Sequence, residues 1–397
     1  MKLIKGNQQQ TRAQNRQLVL QTIYDQFETS RIDVARQTGL TRTTVSDLVS
    51  ELLADGLVEE IGQGQSNGGK RPTLLKFIED KRCLISVDLA SHEFQGAVVN
   101  LRGKIIQKVS LRVDDCKGKD ALKLVYELID RLISFAVVPI IGIGIGSPGL
   151  LDPTSGTVEL AVNLDWRDLP LAALIRERYG LPVHVANNSQ AVAYAETTFG
   201  AHRDLPNMIV IKIGRGIAAR VVINGEPFYG DGPYAGEIGH VVVKENGDPC
   251  ACGKRGCLET VASTRVILKR AQNIAREKPD SKLNQLVKEP CDITLDIVRQ
   301  ASLMGDPDVN QVIEEVSTYM GMAISNLVCA INIKQVMIAG MITELGDVLI
   351  SSLQRQLGQH TLASLAREIH IETTQLGKDI GIKGISALLI QRELGIY

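Results

Sequence analysis

The chain has 397 residues, of which 44% are hydrophobic and 22% charged, and its formal net charge is −1. This length favours two or three compact units, and the composition is that of a globular protein with enough apolar side chains for a buried core. No run of 18 apolar residues lacks a charge or glycine, and the basic, polar start lacks the apolar stretch of a secretory signal. We therefore expect a cytoplasmic protein without a membrane partner, whose seven cysteines remain thiols or bind metal.

The first 80 residues carry the periodicity of three helices. Apolar positions at helical spacing predict helices over residues 11–27, 32–38 and 42–56. Gly39 suits a left-handed cap, and Thr41 suits the N-cap of the third helix. Two helices joined by a short turn form a helix-turn-helix, whose second helix meets the major groove with its N-terminal residues. The DNA contacts expected there are Arg42, Thr43, Thr44 and Ser46.

A predicted hairpin follows the third helix. Strands are expected over residues 57–61 and 74–77, joined by the glycine-rich tip GQGQSNGGKRPT. Lys70 and Arg71 in this tip suit a wing that lies along a phosphate backbone or enters a minor groove. Residues 1–80 hold ten basic and ten acidic residues, so the positions of the basic residues, and not the net charge, favour DNA binding. Arg12 and Arg16 are also expected at the DNA. The alternative is a helical packing module with a solvated loop.

The remainder of the chain alternates strands and helices in two similar blocks. The first block has strands over residues 83–90, 95–101, 104–112 and 139–146, with a helix over 119–135. The second has strands over 208–213, 218–223 and 335–339, with long helices within 263–332. This alternation predicts a layered α/β architecture of two lobes with a cleft between them.

Three of the seven cysteines fall within eight positions. Cys250, Cys252 and Cys257 supply three thiolates, and His240 lies ten residues before the first of them. Three thiolates and one imidazole saturate a tetrahedral Zn²⁺, which is typical of a closed structural site, so we expect one zinc ion per chain. The alternative is a chance cluster of buried thiols. The other four cysteines are isolated and are expected to be inert thiols.

Five stretches together resemble the ROK family, which groups sugar-responsive repressors with bacterial sugar kinases. They are GIGIGSPGLLDPTSG (142–156), NLDW (163–166), ANNSQAVAYAE (186–196), AGEIGH (235–240) and CACGKRGCLE (250–259). The resemblance covers essentially the whole chain, the last two stretches are specific as a pair, and the winged segment matches the regulator branch. It implies an α/β fold: an N-terminal winged helix-turn-helix and a two-lobed, actin-like, ribonuclease-H-type body. The expected domains are residues 1–80, a first lobe over 81–200 completed by a C-terminal helix over 381–397, and a second lobe over 201–380.

The resemblance also implies a sugar site between the lobes. The implied sugar contacts are Ser147, Pro148, Gly149, Asn163, Asn187, Asn188, Glu237, His240 and Glu259. Carboxylates accept hydrogen bonds from neighbouring hydroxyls, and amides both donate and accept. The family assigns the same four zinc ligands, so the metal is expected to fix the loop that presents Glu237 and Glu259. Xylose, glucose and N-acetylglucosamine all suit the family, with xylose or glucose favoured, and no residue decides among them.

Four departures from the kinase branch argue against catalysis. Asn188 stands where the kinases carry a catalytic aspartate, and an amide cannot take a proton. The segment 88–92 lacks the glycine and threonine of a phosphate loop, and Arg215 replaces a small hydroxyl residue between two glycines. The glycine pair on the adenosine side reads Gly340-Met341. We therefore expect no ATP and no catalytic residue, although Arg215 leaves a phosphorylated ligand open.

These observations predict a sugar-responsive transcriptional regulator, most simply a repressor. Sugar binding would close the lobes, shift the winged domains and lower operator affinity, and the coupling would be reciprocal. A homodimer or higher oligomer on palindromic operator DNA is expected, because two recognition helices spaced by a turn of DNA give specificity. Two alternatives stay open: an active sugar kinase with an added DNA-binding domain, and a repressor controlled by a protein partner.

Overall fold

The N-terminal segment folds as the predicted winged helix-turn-helix. The computed structural model describes residues 8–65, 71–90, 93–113, 116–232 and 234–396. The elements of the segment are α1 Gln8–Asp25, β1 Thr29–Ser30, α2 Arg31–Thr38, α3 Arg42–Ala54, β2 Val58–Gln63 and β3 Thr73–Phe77. The Thr41 hydroxyl accepts the Thr44 N–H at the start of α3, and Gly39 ends α2 with φ 70°, so both predicted caps are confirmed. The strands β2 and β3 pair antiparallel, which confirms the hairpin.

A mixed five-stranded sheet forms the first lobe. Its order is β11-β7-β4-β5-β6, with β7 parallel to both β4 and β11. Its strands are β4 Cys83–Leu89, β5 Glu93–Asn100, β6 Ile105–Arg112, β7 Ile140–Ser147 and β11 Val183–Asn187. The associated helices are α4 Gly118–Phe135, α5 Leu171–Tyr179 and α6 Asn188–Phe199. A small sheet of β8 Leu150–Asp152, β9 Thr157–Ala161 and β10 Trp166–Leu169 follows β7.

A second five-stranded sheet, of order β14-β13-β12-β15-β16, forms the second lobe. Its strands are β12 Met208–Ile213, β13 Ile217–Ile223, β14 Glu226–Pro227, β15 Gln335–Ala339 and β16 His370–Thr373. Its helices are α7 Leu258–Ala262, α8 Thr264–Glu277, α9 Leu283–Leu286, α10 Leu295–Leu303, α11 Pro307–Ile331, α12 Asp347–His360 and α13 Ala363–Ala366. Among the described helices, none is both long enough and apolar enough to cross a membrane.

Two helices lie between the sheets. The last helix, α14 Ile380–Leu394, packs on α6 and on strands β4 and β7 of the first sheet. The other face of α6 packs on β12 and β13 of the second sheet, with Val192 buried against Met208 and Val222. The two helices approach closely, since a Cβ on Gly384 would lie 1.7 Å from the carbonyl oxygen of Ala191. Both sheets therefore pack against the same helix pair.

The winged domain shares an apolar core with the body. Val19 and Leu20 of α1 pack in one buried cluster with Leu84 of β4 and Leu394 of α14. The Arg102 guanidinium lies 4.7 Å over the Tyr24 ring and pairs with a Glu79 carboxylate oxygen at 2.7 Å. Complete burial of a large aliphatic side chain such as Leu20 or Leu84 stabilises the fold by about 1.5–3 kcal/mol. The winged domain is therefore docked on the first lobe and on the end of α14.

Candidate functional site

The predicted metal ligands converge on one point. The four ligand atoms of His240, Cys250, Cys252 and Cys257 all lie within 4.8 Å of one another. The Nδ1 atom of His240 is 3.5 Å from the Cys250 sulfur, and the sulfurs of Cys252 and Cys257 are 3.6 Å apart. Tetrahedral zinc, with bonds of about 2.3 Å to sulfur and about 2.0 Å to nitrogen, needs ligand separations of about 3.5–3.8 Å. The donor set and its spacing thus fit Zn²⁺.

The backbone of the metal loop is folded tightly around these ligands. Gly256 has φ +70°, and a Cβ there would lie 1.7 Å from the Lys244 carbonyl oxygen, so only glycine fits. Burial raises the pKa of Cys257 to about 12, whereas a backbone hydrogen bond from Lys254 lowers the pKa of Cys252. Metal binding must therefore displace protons from part of the cluster. Because Nδ1 of His240 faces the sulfurs, its other ring nitrogen is the one left to face a ligand.

Three predicted sugar contacts meet at the start of β13. Gly236 has φ +87° and abuts β13 closely, since a Cβ would lie 1.7 Å from the Ala219 carbonyl oxygen. This close approach places Glu237 beside the strand, and a short 3₁₀ turn, Ile238–His240, follows it. Burial raises the pKa of Glu259. The nearby His240 ring acts to lower this pKa, and the nearby Glu237 carboxylate acts to raise it. Glu237, His240 and Glu259 therefore lie within electrostatic reach of one another.

Other predicted sugar contacts lie at the ends of two strands of the first sheet. Ser147 and Asn187 are register partners at the ends of the parallel strands β7 and β11, and Ser147 is fully buried. The Asn187 amide donates to the Gly149 carbonyl at 2.6 Å. The Asn188 amide donates to the Leu89 carbonyl at 3.2 Å, while its Oδ1 has no hydrogen-bond partner among the described residues. An orphaned buried acceptor of this kind suits a ligand that brings its own hydroxyl donor.

Two other predicted contacts are less enclosed. Pro148 is half-buried between the fully buried Ser147 and the exposed Gly149. Asn163 is exposed on the 3₁₀ segment Val162–Leu164, which directly follows β9. Gly149 packs against the end of β9, so Asn163 lies a few residues along the chain from that contact. The roles of these residues, and of the other predicted sugar contacts, stay predictions.

Two cations within strands of the second sheet, the half-buried Lys212 and the buried Arg220, were not found by sequence reasoning. Burial lowers the pKa of Lys212 in β12, and the nearby Asp88 carboxylate at the end of β4 opposes this effect. Burial raises the pKa of Asp88, whose Oδ1 has no hydrogen-bond partner among the described residues. Arg220 in β13 is 4% exposed and pairs with Glu237 at 3.2 Å. The signal was available, because each cation interrupts a run of apolar residues that reads as a buried strand.

The residues of the candidate DNA surface differ in exposure. Arg42, Thr43 and Arg71 are exposed, and Thr44 and Ser46 are half-buried at the start of α3; Lys70 lies outside the described residues. Two further cations expected at the DNA make ion pairs with acidic residues at the C-terminal end of α3, Arg12 with Glu51 and Arg16 with Asp55. These ion pairs connect α1 to the candidate recognition helix. The roles of all these residues in DNA binding stay predictions.

The winged domain, the two sheets and the helix pair between them define a two-lobed, actin-like α/β protein with an N-terminal winged helix-turn-helix. Residues 84–392 match the ROK family, and the chain belongs to that family.

The chain is similar to named repressors and to a kinase. It is 31% identical to the xylose repressor of Caldicellulosiruptor bescii over 390 residues, which cover 97% of each chain. It is 32% identical to a glucokinase of Halalkalibacterium halodurans over 317 residues, which cover 79% of this chain and 96% of the glucokinase. A solved ROK family transcriptional regulator, a homologue of the Escherichia coli MLC protein, matches with a TM-score of 0.83 at 25% identity, over 97% of this chain and 96% of that chain. The repressor-type relatives thus match nearly the full length, including the winged domain.

Proposed function

We propose that this chain is a sugar-responsive transcriptional repressor, released from operator DNA when a sugar binds between its lobes. The observation that carries the proposal is the shared core of the winged domain and α14. The C-terminal end of α14 packs against α1, and its N-terminal end lies beside the cleft, where a Cβ on Gly381 would meet the Asp88 carboxylate at 2.0 Å. A change at the cleft therefore has a direct physical path to the DNA-binding domain.

The sugar site of this proposal lies between β13 and the ends of β7 and β11. Glu237, Glu259 and the free nitrogen of His240 face it from the second lobe, and Asn187 and Asn188 from the first. Zn²⁺ held by the cysteine cluster would fix the position of His240 and of α7, which begins directly after Cys257 and carries Glu259 in its first turn. Since full-length relatives are named xylose repressors, D-xylose is the first effector to test.

A lack of kinase activity is part of the same proposal. The Asn188 amide donates to a backbone carbonyl and cannot accept a proton from a sugar hydroxyl. The Lys212 ammonium lies near Asp88 at the segment where a phosphate loop is expected, and Arg215 is exposed in the second such segment. These features support a protein that binds a sugar without phosphorylating it.

The DNA interface of the proposal uses the start of α3 and the wing. Arg42 and Thr43 are exposed there, and Arg71 is exposed at the base of the wing. A homodimer on a palindromic operator follows from the geometry of helix-turn-helix recognition, in which two helices read half-sites about one turn of DNA apart. The cytoplasmic location expected from the sequence belongs to the same proposal, because operator DNA lies there.

The proposal is tested by fluorescence anisotropy of the full-length protein on DNA from upstream of its own gene. D-xylose, D-glucose and N-acetylglucosamine are added separately, with mannitol as the control. One sugar is expected to weaken operator binding by about 5- to 150-fold, the usual range of allosteric coupling. If DNA binds and no sugar changes the affinity, control by a sugar is refuted and a protein partner becomes the better explanation.

The kinase alternative is tested in a coupled assay for ADP release with the same sugars. We expect turnover no higher than that of the Asn188→Ala variant. Sugar-dependent turnover that disappears in Asn188→Ala would contradict the non-enzymatic part of the proposal.

A further inference from the structure

Arg220 is a buried cation inside the second sheet. It lies in the middle of β13, and only 5% of its side chain is exposed. Burial lowers the pKa of Arg220, and the negative charge of Glu237 is the strongest influence that opposes this effect. A buried arginine is stable only when its fixed fork of donors is satisfied.

The guanidinium of Arg220 makes hydrogen bonds to three groups. Its Nε and Nη2 donate to the Ser189 hydroxyl at 3.0 and 2.7 Å, and its Nη2 also donates to Glu237 Oε1 at 3.2 Å. Its Nη1 donates to the carbonyl oxygen of Ala235. These partners come from the first turn of α6 and from the segment that carries Glu237. The orientation of the planar group is thereby fixed from two sides.

The contacts continue from Ser189 into the first sheet. The Ser189 hydroxyl donates to Asn187 Oδ1 at 2.5 Å, and the Ser189 N–H donates to the same oxygen at 2.8 Å. The Asn187 amide nitrogen then donates to the Gly149 carbonyl at 2.6 Å. An unbroken chain of hydrogen bonds thus runs from Glu237 through Arg220, Ser189 and Asn187 to the turn after β7.

We propose that Arg220 is the positioning residue of the sugar site, holding Glu237 and Asn187 in fixed relation before the sugar binds. This inference rests on the proposed function, because it takes Glu237 and Asn187 as sugar ligands. Arg220 itself lies behind the site and acts through these two residues.

The arrangement suits preorganised binding. Oε1 of Glu237 is held by Arg220, which leaves Oε2 to accept from a sugar hydroxyl. The Asn187 amide is held through both its oxygen and its nitrogen, so its orientation is fixed before binding. A ligand that meets side chains already in place loses less ordering entropy on binding than one that must arrange them. Lysine cannot replace arginine here, because one ammonium group lacks the planar fork that reaches Ser189, Ala235 and Glu237 together.

The first test needs no ligand. Hydrogen exchange is followed in the full-length protein for the wild type, Arg220→Gln and Ser189→Ala. Arg270→Gln is the control, because it breaks a 2.8 Å ion pair between Arg270 of α8 and Glu315 of α11. Arg220→Gln and Ser189→Ala are both expected to exchange faster than the wild type in peptides covering residues 187–191 and 234–240. The control is expected to exchange at the wild-type rate there. The proposal is overturned if one of these two segments exchanges at the wild-type rate in both Arg220→Gln and Ser189→Ala. Ser189→Ala removes one hydroxyl and so keeps the test valid if Arg220→Gln fails to fold.

The second test uses D-xylose and D-glucose in calorimetric titrations. For the sugar that binds the wild type, Arg220→Gln is expected to raise Kd by about 10- to 100-fold, as for a lost hydrogen bond to a charged group. Arg220→Lys should recover little of this loss, and the combined loss in Arg220→Gln/Ser189→Ala should be smaller than the product of the single losses. A Kd within twofold of the wild type for folded Arg220→Gln overturns the proposal. If neither these two sugars nor N-acetylglucosamine binds the wild type, the proposed function fails, while the exchange experiment still decides whether this chain of hydrogen bonds holds Glu237 and Asn187 in place.

Discussion

Lys212→Met tests whether the opposite charges of Lys212 and Asp88, both half-buried, stabilise the contact between the two lobes. Lys212 belongs to β12 of the second sheet and Asp88 to β4 of the first. Lys108 is the other cation near Asp88, and it is already paired with Asp379 at the start of α14. Methionine keeps most of the length of the lysine side chain and removes its charge. The variant therefore leaves the half-buried Asp88 carboxylate with its main counter-charge deleted.

The expected cost follows from that uncompensated charge. Removing one partner of a fully buried pair typically costs about 3–5 kcal/mol, and because Asp88 and Lys212 are half-buried we expect about 1–3 kcal/mol. Oδ1 of Asp88 has no hydrogen-bond partner among the described residues, so no protein donor there can take over from the ammonium. At roughly 2 °C per kcal/mol for a protein of this size, the melting temperature should fall by about 2–6 °C. Adding Asp88→Asn to Lys212→Met should restore most of the loss, because it removes the stranded charge.

The effect should depend on pH with a definite sign. Burial raises the pKa of Asp88 in the folded protein, and deleting Lys212 raises it further because Lys212 is the largest opposing charge. A carboxyl group with a raised folded pKa favours the folded state below its unfolded pKa of about 3.9, and this contribution is lost as pH rises through the folded value. The stability difference between wild type and Lys212→Met should therefore be small near pH 4 and grow towards pH 7.

Differential scanning calorimetry and urea unfolding monitored by circular dichroism, both between pH 4 and 7, measure these differences. Lys334→Met is the matched control, since it breaks the exposed pair with Glu368 in the same lobe and should cost about 0–1 kcal/mol. Two results would refute the reasoning: Lys212→Met as stable as the wild type at pH 7, or a double variant with Asp88→Asn no more stable than the single one.

Three further predictions concern the metal, the sugar site and the DNA surface. Cys252→Ser should lower the zinc content from one per chain and weaken sugar binding, whereas Cys291→Ser should change neither; metal analysis and calorimetry check this. Gly236→Ala, at φ +87° and against the β13 backbone, should cost at least about 1–3 kcal/mol of stability and reduce sugar affinity. Gly232→Ala is its control, because a Cβ there meets nothing within 4 Å. Arg42→Ala should weaken operator binding by about 1–3 kcal/mol if Arg42 contacts a base. If Arg42 contacts a phosphate, the variant should instead reduce the slope of log affinity against log salt concentration by about one. Unchanged affinity and unchanged slope in anisotropy titrations would show that Arg42 is not part of the interface.

Local sequence signals predicted the parts of the structure that depend on local chemistry. The caps at Gly39 and Thr41 follow from conformational and hydrogen-bonding preferences that act within a few residues. The cysteine spacing predicted a ligand cluster because the glycines between the cysteines permit a tight turn. His240 lies beside the cysteines because it ends a short 3₁₀ turn just before the loop. The roles of the individual sugar contacts rest on family resemblance, since no local pattern encodes hydroxyl recognition.

Contacts between distant segments were beyond such reasoning. The ion pairs of Arg12 with Glu51 of α3 and of Arg16 with Asp55 just after α3 each join residues 39 positions apart, and periodicity does not identify partners at that distance. Lys212 and Arg220 were read as part of buried strands without a role, because their counter-charges come from another sheet strand and from a loop. A cation within an apolar strand was the available signal, and it indicates a buried partner even when the partner is unknown.

Helix α14 explains how one small ligand could control DNA binding from the cleft. Asp379, at the start of this helix, pairs with Lys108 of the first sheet, and Asp88 lies against the first turn of the helix at Gly381. At its other end, Leu394 is buried in the core of the winged domain. A ligand shifts this arrangement only if it binds one lobe position more tightly than the other, and by the same amount operator DNA must then weaken the ligand. Two discrete lobe positions, transmitted through one helix, are therefore the simplest physical basis for the switch.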